Sequence, residues 1–140
     1  MKLEDLINIS ETIEVMDIGA AVISETPNYK KLLDENLAHL NAFDGDTRQT
    51  EKIKAAYGDR ASIYTDFLSD GTIKTLYIAD ELSGMTSVYK PNVNALRYFN
   101  GFENFGTIYS TKEIQTKKLD DVYDIPQIDM LKMDIQGSEL

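Results

Sequence analysis

The chain contains no cysteine, a single histidine and no apolar run that approaches membrane-spanning length. The absence of cysteine excludes a disulfide framework, a thiol nucleophile and a zinc–thiolate site, and we predict no metal site. The N-terminus, Met1-Lys-Leu-Glu-Asp-Leu6, lacks the apolar segment of a signal peptide. These absences predict a soluble cytoplasmic protein without a membrane partner.

Basic residues are also scarce, since 14 Lys and Arg side chains stand against 24 Asp and Glu, giving a net charge of −10. Such a field repels phosphate backbones and anionic membrane surfaces. The sequence therefore predicts no nucleic-acid partner, and a neutral or cationic small ligand is easier to accept.

The length and composition fit one folded domain over residues 1–140. Hydrophobic residues make up 42% and charged residues 27%, which are ordinary globular values. One core fits in 140 residues, but the chain is small for a complete doubly wound enzyme.

The first half alternates strand and helix patterns. Thr26-Pro27 is a good helix start, Asn36 suits a left-handed helix end, and Gly58 is a helix stop. The predicted elements are a lead-in helix 3–9, strands 13–18, 37–43 and 62–65, and helices 28–35 and 47–57. This βαβαβ order predicts a parallel sheet with right-handed crossovers.

The second half changes pattern. A turn at Phe67-Leu-Ser-Asp-Gly71 precedes an added antiparallel strand, and the last strand delivers a carboxylate to its end. The predicted elements are strands 72–79, 107–117 and 128–134, a helix 92–99, a loop 83–88 and a turn 119–122.

Three predicted strand ends converge at one sheet edge, namely 17–21, 43–46 and 132–134. Gly19 lets the backbone approach a ligand closely, with amides free in the turn that follows. A carboxylate after the second strand, Asp44, is well placed to accept both hydroxyls of a ribose. The pattern predicts an adenosine-type cofactor across this edge.

The glycines bear on which cofactor it is. A dinucleotide pyrophosphate needs a Gly-x-Gly-x-x-Gly cradle, whereas Gly19-Ala-Ala-Val-Ile-Ser24 has one glycine. S-adenosylmethionine carries no phosphate, and its positive sulfonium is favoured by carboxylates such as Asp17 and Asp134. The sequence favours the methyl donor, and a nucleotide-dependent oxidoreductase remains the weaker alternative.

Several motifs together resemble one family from Val15 to the last residue. They are Met16-Asp-Ile-Gly-Ala20, Tyr29-Lys-Lys-Leu-Leu33 with Leu37-Ala38, Leu68-Ser-Asp-Gly71, Gly84-Met-Thr-Ser87, Lys118-Leu-Asp-Asp121 and Asp129-Met-Leu-Lys-Met-Asp-Ile-Gln-Gly-Ser-Glu139. In order and spacing the chain resembles the FkbM family of S-adenosylmethionine-dependent methyltransferases. The resemblance implies an α/β, Rossmann-like class I fold with a mostly parallel sheet and an antiparallel insertion.

The resemblance also implies roles for individual residues. Phe67 and Leu68 would flank the adenine, Asp44 would hold the ribose, and Ser87 would belong to a cofactor or substrate lid. Asp134 would sit near the transferable methyl and is the candidate catalytic base. Residues implied at the methionine end are Asp17, Gly19 and Ala21. Asp46 is assigned to the cofactor too, although one of Asp44 and Asp46 is also expected to cap the helix at Thr47.

The chain departs from the family pattern in three places. Phe-Glu-Pro-Asp is usual after strand two, but here Phe43-Asp44-Gly45-Asp46 stands, which predicts weaker or re-aimed ribose binding. Gln136 replaces a common Glu and reads as a tolerated change. The class I fold has further strands after the one ending at Asp134. We therefore expect either a fragment with C-terminal strands missing or a homodimer through the exposed strand edge.

The function implied by the resemblance is methyl transfer from S-adenosylmethionine to a hydroxyl of a small molecule or glycan. The alternative is a truncated cofactor-binding domain without turnover.

Overall fold

The computed structural model describes residues 11–23, 26–80, 82–135 and 137. The predicted helix 3–9 lies outside these residues. The strands are β1 (Ile13–Ile18), β2 (Ala38–Phe43), β3 (Ala61–Tyr64), β4 (Ile73–Ala79), β5 (Ile108–Gln115) and β6 (Met130–Met133). The helices are α1 (Lys30–Asp34), α2 (Thr47–Tyr57), α3 (Val93–Leu96) and α4 (Phe102–Phe105), with 3₁₀ turns at Gly58–Arg60 and Leu119–Asp121.

Four strands form a parallel sheet in the order β3–β2–β1–β6. Because all four run the same way, their carboxyl ends meet at one edge. The mixed α/β architecture with a mostly parallel sheet confirms the predicted Rossmann-like fold class.

The core lies on both faces of this sheet. On one face α1 and α2 contribute buried Leu33, Ile53 and Tyr57 against β1 and β2. On the other face Met16, Ile18 and Phe43 form a smaller cluster that the segment from 119 to 128 partly covers. Complete burial of one such side chain is worth about 1.5–3 kcal/mol, so the two clusters hold the sheet between them.

The predicted antiparallel insertion is confirmed, but it forms its own two-stranded sheet. β4 pairs antiparallel with β5, from Ile73 opposite Gln115 to Ala79 opposite Ile108. Ser87 forms a further antiparallel bridge to Tyr77, so the loop after β4 folds back onto this sheet.

Local signals placed the helix ends well. Asn36 has φ +56° two residues after the end of α1, and Gly58 has φ +57° directly after α2, so both helices end at a residue with the positive φ expected there. The short helix predicted at 92–99 is confirmed over a narrower range, as α3, whereas α4, which follows Gly101 at φ +82°, was not predicted.

The strand β6 is shorter and less buried than predicted. Leu131 is 50% exposed and Met133 is 40% exposed, because β6 pairs with β1 alone among the described residues. Self-association through the edge of β6 stays a prediction. In the part of the chain that the structure describes, no helix has the length and apolarity needed to cross a membrane.

Candidate functional site

A cavity opens at the carboxyl edge of the parallel sheet, where β1, β2 and β6 end. The loops that follow β3 and β4 close its other sides. All but one of the predicted site residues line it, namely Gly19, Ala21, Asp44, Asp46, Phe67, Leu68, Ser87 and Asp134. Their placement around one cavity is a finding, whereas their individual roles stay predictions.

Asp17 is the exception. Its side chain is 2% exposed and does not line the cavity, because it faces the α1 side of β1. The Tyr29 hydroxyl donates to Asp17 Oδ2 at 2.6 Å, and Lys132 Nζ donates to Oδ1 at 3.0 Å. Burial and this carboxylate raise the pKa of the Tyr29 hydroxyl, which therefore keeps its proton.

The placement of Asp17 corrects the electrostatic argument drawn from the sequence. The Lys132 ammonium already compensates the Asp17 charge, so Asp17 is not a free carboxylate beside a sulfonium. In the structure Asp17 links β1 to β6 through Lys132, and it links β1 to Tyr29, the residue before α1.

Gly19 is required by a close approach of two strand ends. Its φ is +85°, and its N–H donates to the Phe43 carbonyl oxygen at 2.9 Å. A Cβ at this position would collide with the Asp134 carbonyl oxygen, so a side chain has no room. The close neighbour is therefore the backbone after β6, not only a ligand as the sequence suggested.

Asp44 lies half-buried directly after β2. Its Oδ1 accepts a hydrogen bond from the Asp46 N–H at 2.8 Å. Burial, helped by the nearby Asp46 and Asp17 carboxylates, raises the pKa of Asp44 to about 6. Ionised Asp44 at neutral pH therefore destabilises the folded protein when no ligand is bound. The same carboxylate is a strong hydrogen-bond acceptor for a donor group on a ligand.

Asp46 caps α2, which confirms the expectation that one of the two carboxylates would do so. Its Oδ1 accepts from the Arg48 N–H at 3.0 Å, and the Arg48 guanidinium also donates to both carboxylate oxygens. The cap fixes the loop that carries Asp44 relative to the helix.

Gly45 packs against the Phe67 ring. A Cβ on Gly45 would overlap that ring, so the contact between this loop and Phe67 leaves no room for a side chain at position 45. Below them the Phe43 and Tyr64 rings stack with centroids 4.4 Å apart. Phe43 and Phe67 line the cavity together with Asp44, so the cavity has apolar surface as well as a carboxylate.

Sequence reasoning missed Gln49, a buried residue that also lines the cavity. Gln49, Ile53 and Tyr57 form the buried stripe of α2. A polar residue four positions before a core residue on the same helix face was the signal that would have found it.

Among the described residues, no group of three or more His, Cys, Asp or Glu side chains is arranged to hold a metal ion.

The chain matches the family model of the methyltransferase FkbM domain over residues 8–140. It belongs to the FkbM methyltransferase family. No curated protein and no solved structure matches the chain. The carboxyl-edge cavity is therefore the candidate active site of an FkbM methyltransferase domain.

Proposed function

We propose that this FkbM domain binds S-adenosylmethionine in the carboxyl-edge cavity and methylates a hydroxyl of a small molecule or glycan. The observation that supports this most is the meeting of the Gly19 turn, Asp44 and Asp134 around one cavity in a chain of a methyltransferase family.

The residues around the cavity suit an adenosyl group. Phe67 and Leu68 offer apolar surface for a purine, and Asp44, directly after β2, offers a carboxylate that would accept from a ribose. The turn after β1 has one glycine, which leaves no cradle for a pyrophosphate and disfavours a dinucleotide.

The bound cofactor would supply an electrophilic methyl group. The chain's own contribution would be to hold the acceptor oxygen in line with that group, which can account for much of the rate enhancement. A hydroxyl acceptor must also lose its proton, and Asp134, which lines the cavity, would accept it.

Calorimetry with S-adenosylhomocysteine tests the cofactor. We expect saturable binding, and at least about tenfold weaker binding in Asp44→Ala, which removes the proposed ribose acceptor. The matched control is Asp59→Ala, an exposed carboxylate away from the cavity, which should bind like the parent chain.

The same titration with NAD separates the alternatives. Binding of NAD without binding of S-adenosylhomocysteine would overturn the proposal in favour of an oxidoreductase. Binding of S-adenosylhomocysteine without turnover on a broad panel of hydroxylated acceptors would favour a cofactor-binding domain.

Asp134→Asn tests the proposed base. With an acceptor from that panel, we expect product formation to fall about 10²-fold or more, while the affinity for S-adenosylhomocysteine stays within about twofold. An unchanged rate would remove Asp134 from proton transfer.

A further inference from the structure

The charged side chains that line the carboxyl-edge cavity are all acidic. Among the described residues, no Lys, Arg or His belongs to the lining. The loops after β2, β3, β4 and β6 each contribute at least one carboxylate, and the set is Asp44, Asp46, Asp66, Asp80 and Asp134. Because these carboxylates are spread around the cavity, they bear on the charge of the ligand that it takes.

Two of the five carboxylates have basic partners. The Arg48 guanidinium donates to both carboxylate oxygens of Asp46. Lys117 Nζ lies 2.8 Å from Asp66 Oδ1. The charges of Asp46 and Asp66 are therefore largely offset by their neighbours.

Asp44 and Asp80 have no such partner. Within the described parts of the chain neither forms an ion pair, and their side chains accept from the backbone N–H groups of Asp46 and Leu82. Asp44 is half-buried inside the cavity, whereas Asp80 is exposed and so lies where the cavity opens to solvent. An uncompensated negative charge is thus present both inside the cavity and at its mouth.

The shape of the site strengthens the effect of these charges. A cleft lined by charges of one sign concentrates their field and raises the local concentration of ligands of opposite sign. The cavity encloses about 850 Å³, so a ligand inside it lies within about a Debye length, roughly 8–10 Å, of the carboxylates around it. The net charge of the whole chain, −10, has the same sign. A phosphate or carboxylate group on a ligand is therefore repelled.

We propose that the carboxyl-edge cavity selects acceptors that are cationic or neutral at neutral pH, such as an amino sugar, and rejects acceptors that carry a phosphate or a carboxylate. The inference rests on the proposed function, since it names the charge class of the molecule that is methylated. S-adenosylmethionine carries one net positive charge, which would offset only one of Asp44 and Asp80, so the occupied cavity stays acidic. Asp80 is the specificity-determining residue, because it has no part in binding the cofactor or in proton transfer.

The absence of cysteine allows the field to be measured without a known acceptor. Val88 lines the cavity and is partly exposed, so Val88→Cys provides a single reporter thiol there. Its rate constants are measured with two methanethiosulfonate reagents of similar size, the cationic ethyltrimethylammonium and the anionic ethylsulfonate. Any change in the thiolate's own reactivity cancels in the ratio of cationic to anionic rate constants.

The matched control is Val93→Cys, the same change at an exposed position in α3 outside the cavity lining. We expect the ratio in Val88→Cys to exceed that in the control by about fivefold or more at low salt. In about 1 M salt, where the Debye length is about 3 Å, the two ratios should converge. Ala21→Cys, on the turn after β1, repeats the measurement from another part of the lining if Val88→Cys does not fold.

Asp80→Asn assigns the field to its source. Asn keeps an oxygen to accept the Leu82 N–H, so the turn after β4 is retained. Added to Val88→Cys, this change should lower the ratio by about twofold. Asp59→Asn, at an exposed position away from the cavity, should leave the ratio unchanged.

Turnover gives the matching test of acceptors. The panel includes glucosamine, N-acetylglucosamine and glucuronic acid, which present similar hydroxyls on a cationic, a neutral and an anionic sugar. We expect kcat/KM to fall in that order across cationic, neutral and anionic members, and Asp80→Asn to narrow the spread by about twofold.

Equal reagent ratios in Val88→Cys and Val93→Cys at low salt would overturn the inference. A ratio that Asp80→Asn leaves unchanged would remove Asp80 as its source, and methylation of anionic members as fast as neutral ones would remove the selection. A chain that binds no S-adenosylhomocysteine, or methylates no member of the panel, counts against the proposed function instead. The reporter ratio still decides the charge of the cavity in that case.

Discussion

Replacing Asp44 by Asn should stabilise the empty protein at neutral pH. Burial raises the pKa of Asp44 from an ordinary value of 3.8 to about 6. The folded state therefore binds the Asp44 proton more tightly than the unfolded state does. The stability that this proton contributes is fully present below pH 3.8 and is lost as the pH rises through about 6.

The size of the effect follows from the same two values. Their difference corresponds to about 3 kcal/mol of folding free energy lost when Asp44 ionises in the native state. Asn keeps the shape and an oxygen to accept the Asp46 N–H, but it does not titrate. Between about pH 4.5 and about pH 7.5 the advantage of Asp44→Asn should therefore grow by about 2 kcal/mol.

Urea unfolding of both chains at a series of pH values measures this advantage. The other carboxylates titrate alike in the two chains, so their contributions cancel in the difference. Asp59→Asn, an exposed change, should give a difference that does not vary with pH. An advantage of Asp44→Asn that stays constant from acid to neutral pH would refute the assigned burial of this carboxylate.

Three further changes probe the frame of the site, each measured by urea unfolding. Gly45→Ala should lower the free energy of unfolding by about 1–3 kcal/mol, because the new methyl group collides with the Phe67 ring. Adding Phe67→Leu should recover part of this loss. If it recovers none, the two residues are not in contact. Tyr29→Phe should lower the free energy of unfolding by about 1–3 kcal/mol, since it leaves Asp17 Oδ2 without its buried donor. An unchanged free energy of unfolding would mean that water replaces the hydroxyl. Asp46→Ala should cost about 1 kcal/mol by removing the cap of α2, and the far-UV circular dichroism of that variant should show a loss of helix at elevated temperature before the parent chain does.

The parts of the fold that depend on neighbours in sequence were predictable. β1 and α2 occur at the predicted residues, since a β-rich run ending at Gly19 and a cap followed by Gly58 are local signals. The convergence of strand ends was also predictable, because parallel strands place their carboxyl ends together. A family resemblance then placed Phe67 at the same cavity as Asp44.

The features that the sequence did not reveal depend on residues far apart in the chain. Asp17 was assigned to the cofactor by its charge and by the family resemblance, but its partner Lys132 is 115 positions away in the chain. The pairing of Phe67 with Gly45 and the unpaired oxygen of Gln49 likewise appear only when separate loops are brought together. No periodicity in a single segment carries that information.

The Asp17–Lys132 ion pair also has a consequence for how β6 joins the sheet. In the observed register Lys132 lies beside Asp17. A slip of β6 by one residue would turn Lys132 to the opposite face and bring Leu131 or Met133 to the buried carboxylate. An interior charge abandoned in this way costs about 3–5 kcal/mol, so misaligned docking of the last strand is penalised during folding. The ion pair between Lys132 and Asp17 thus favours the observed register of β6 over its one-residue neighbours.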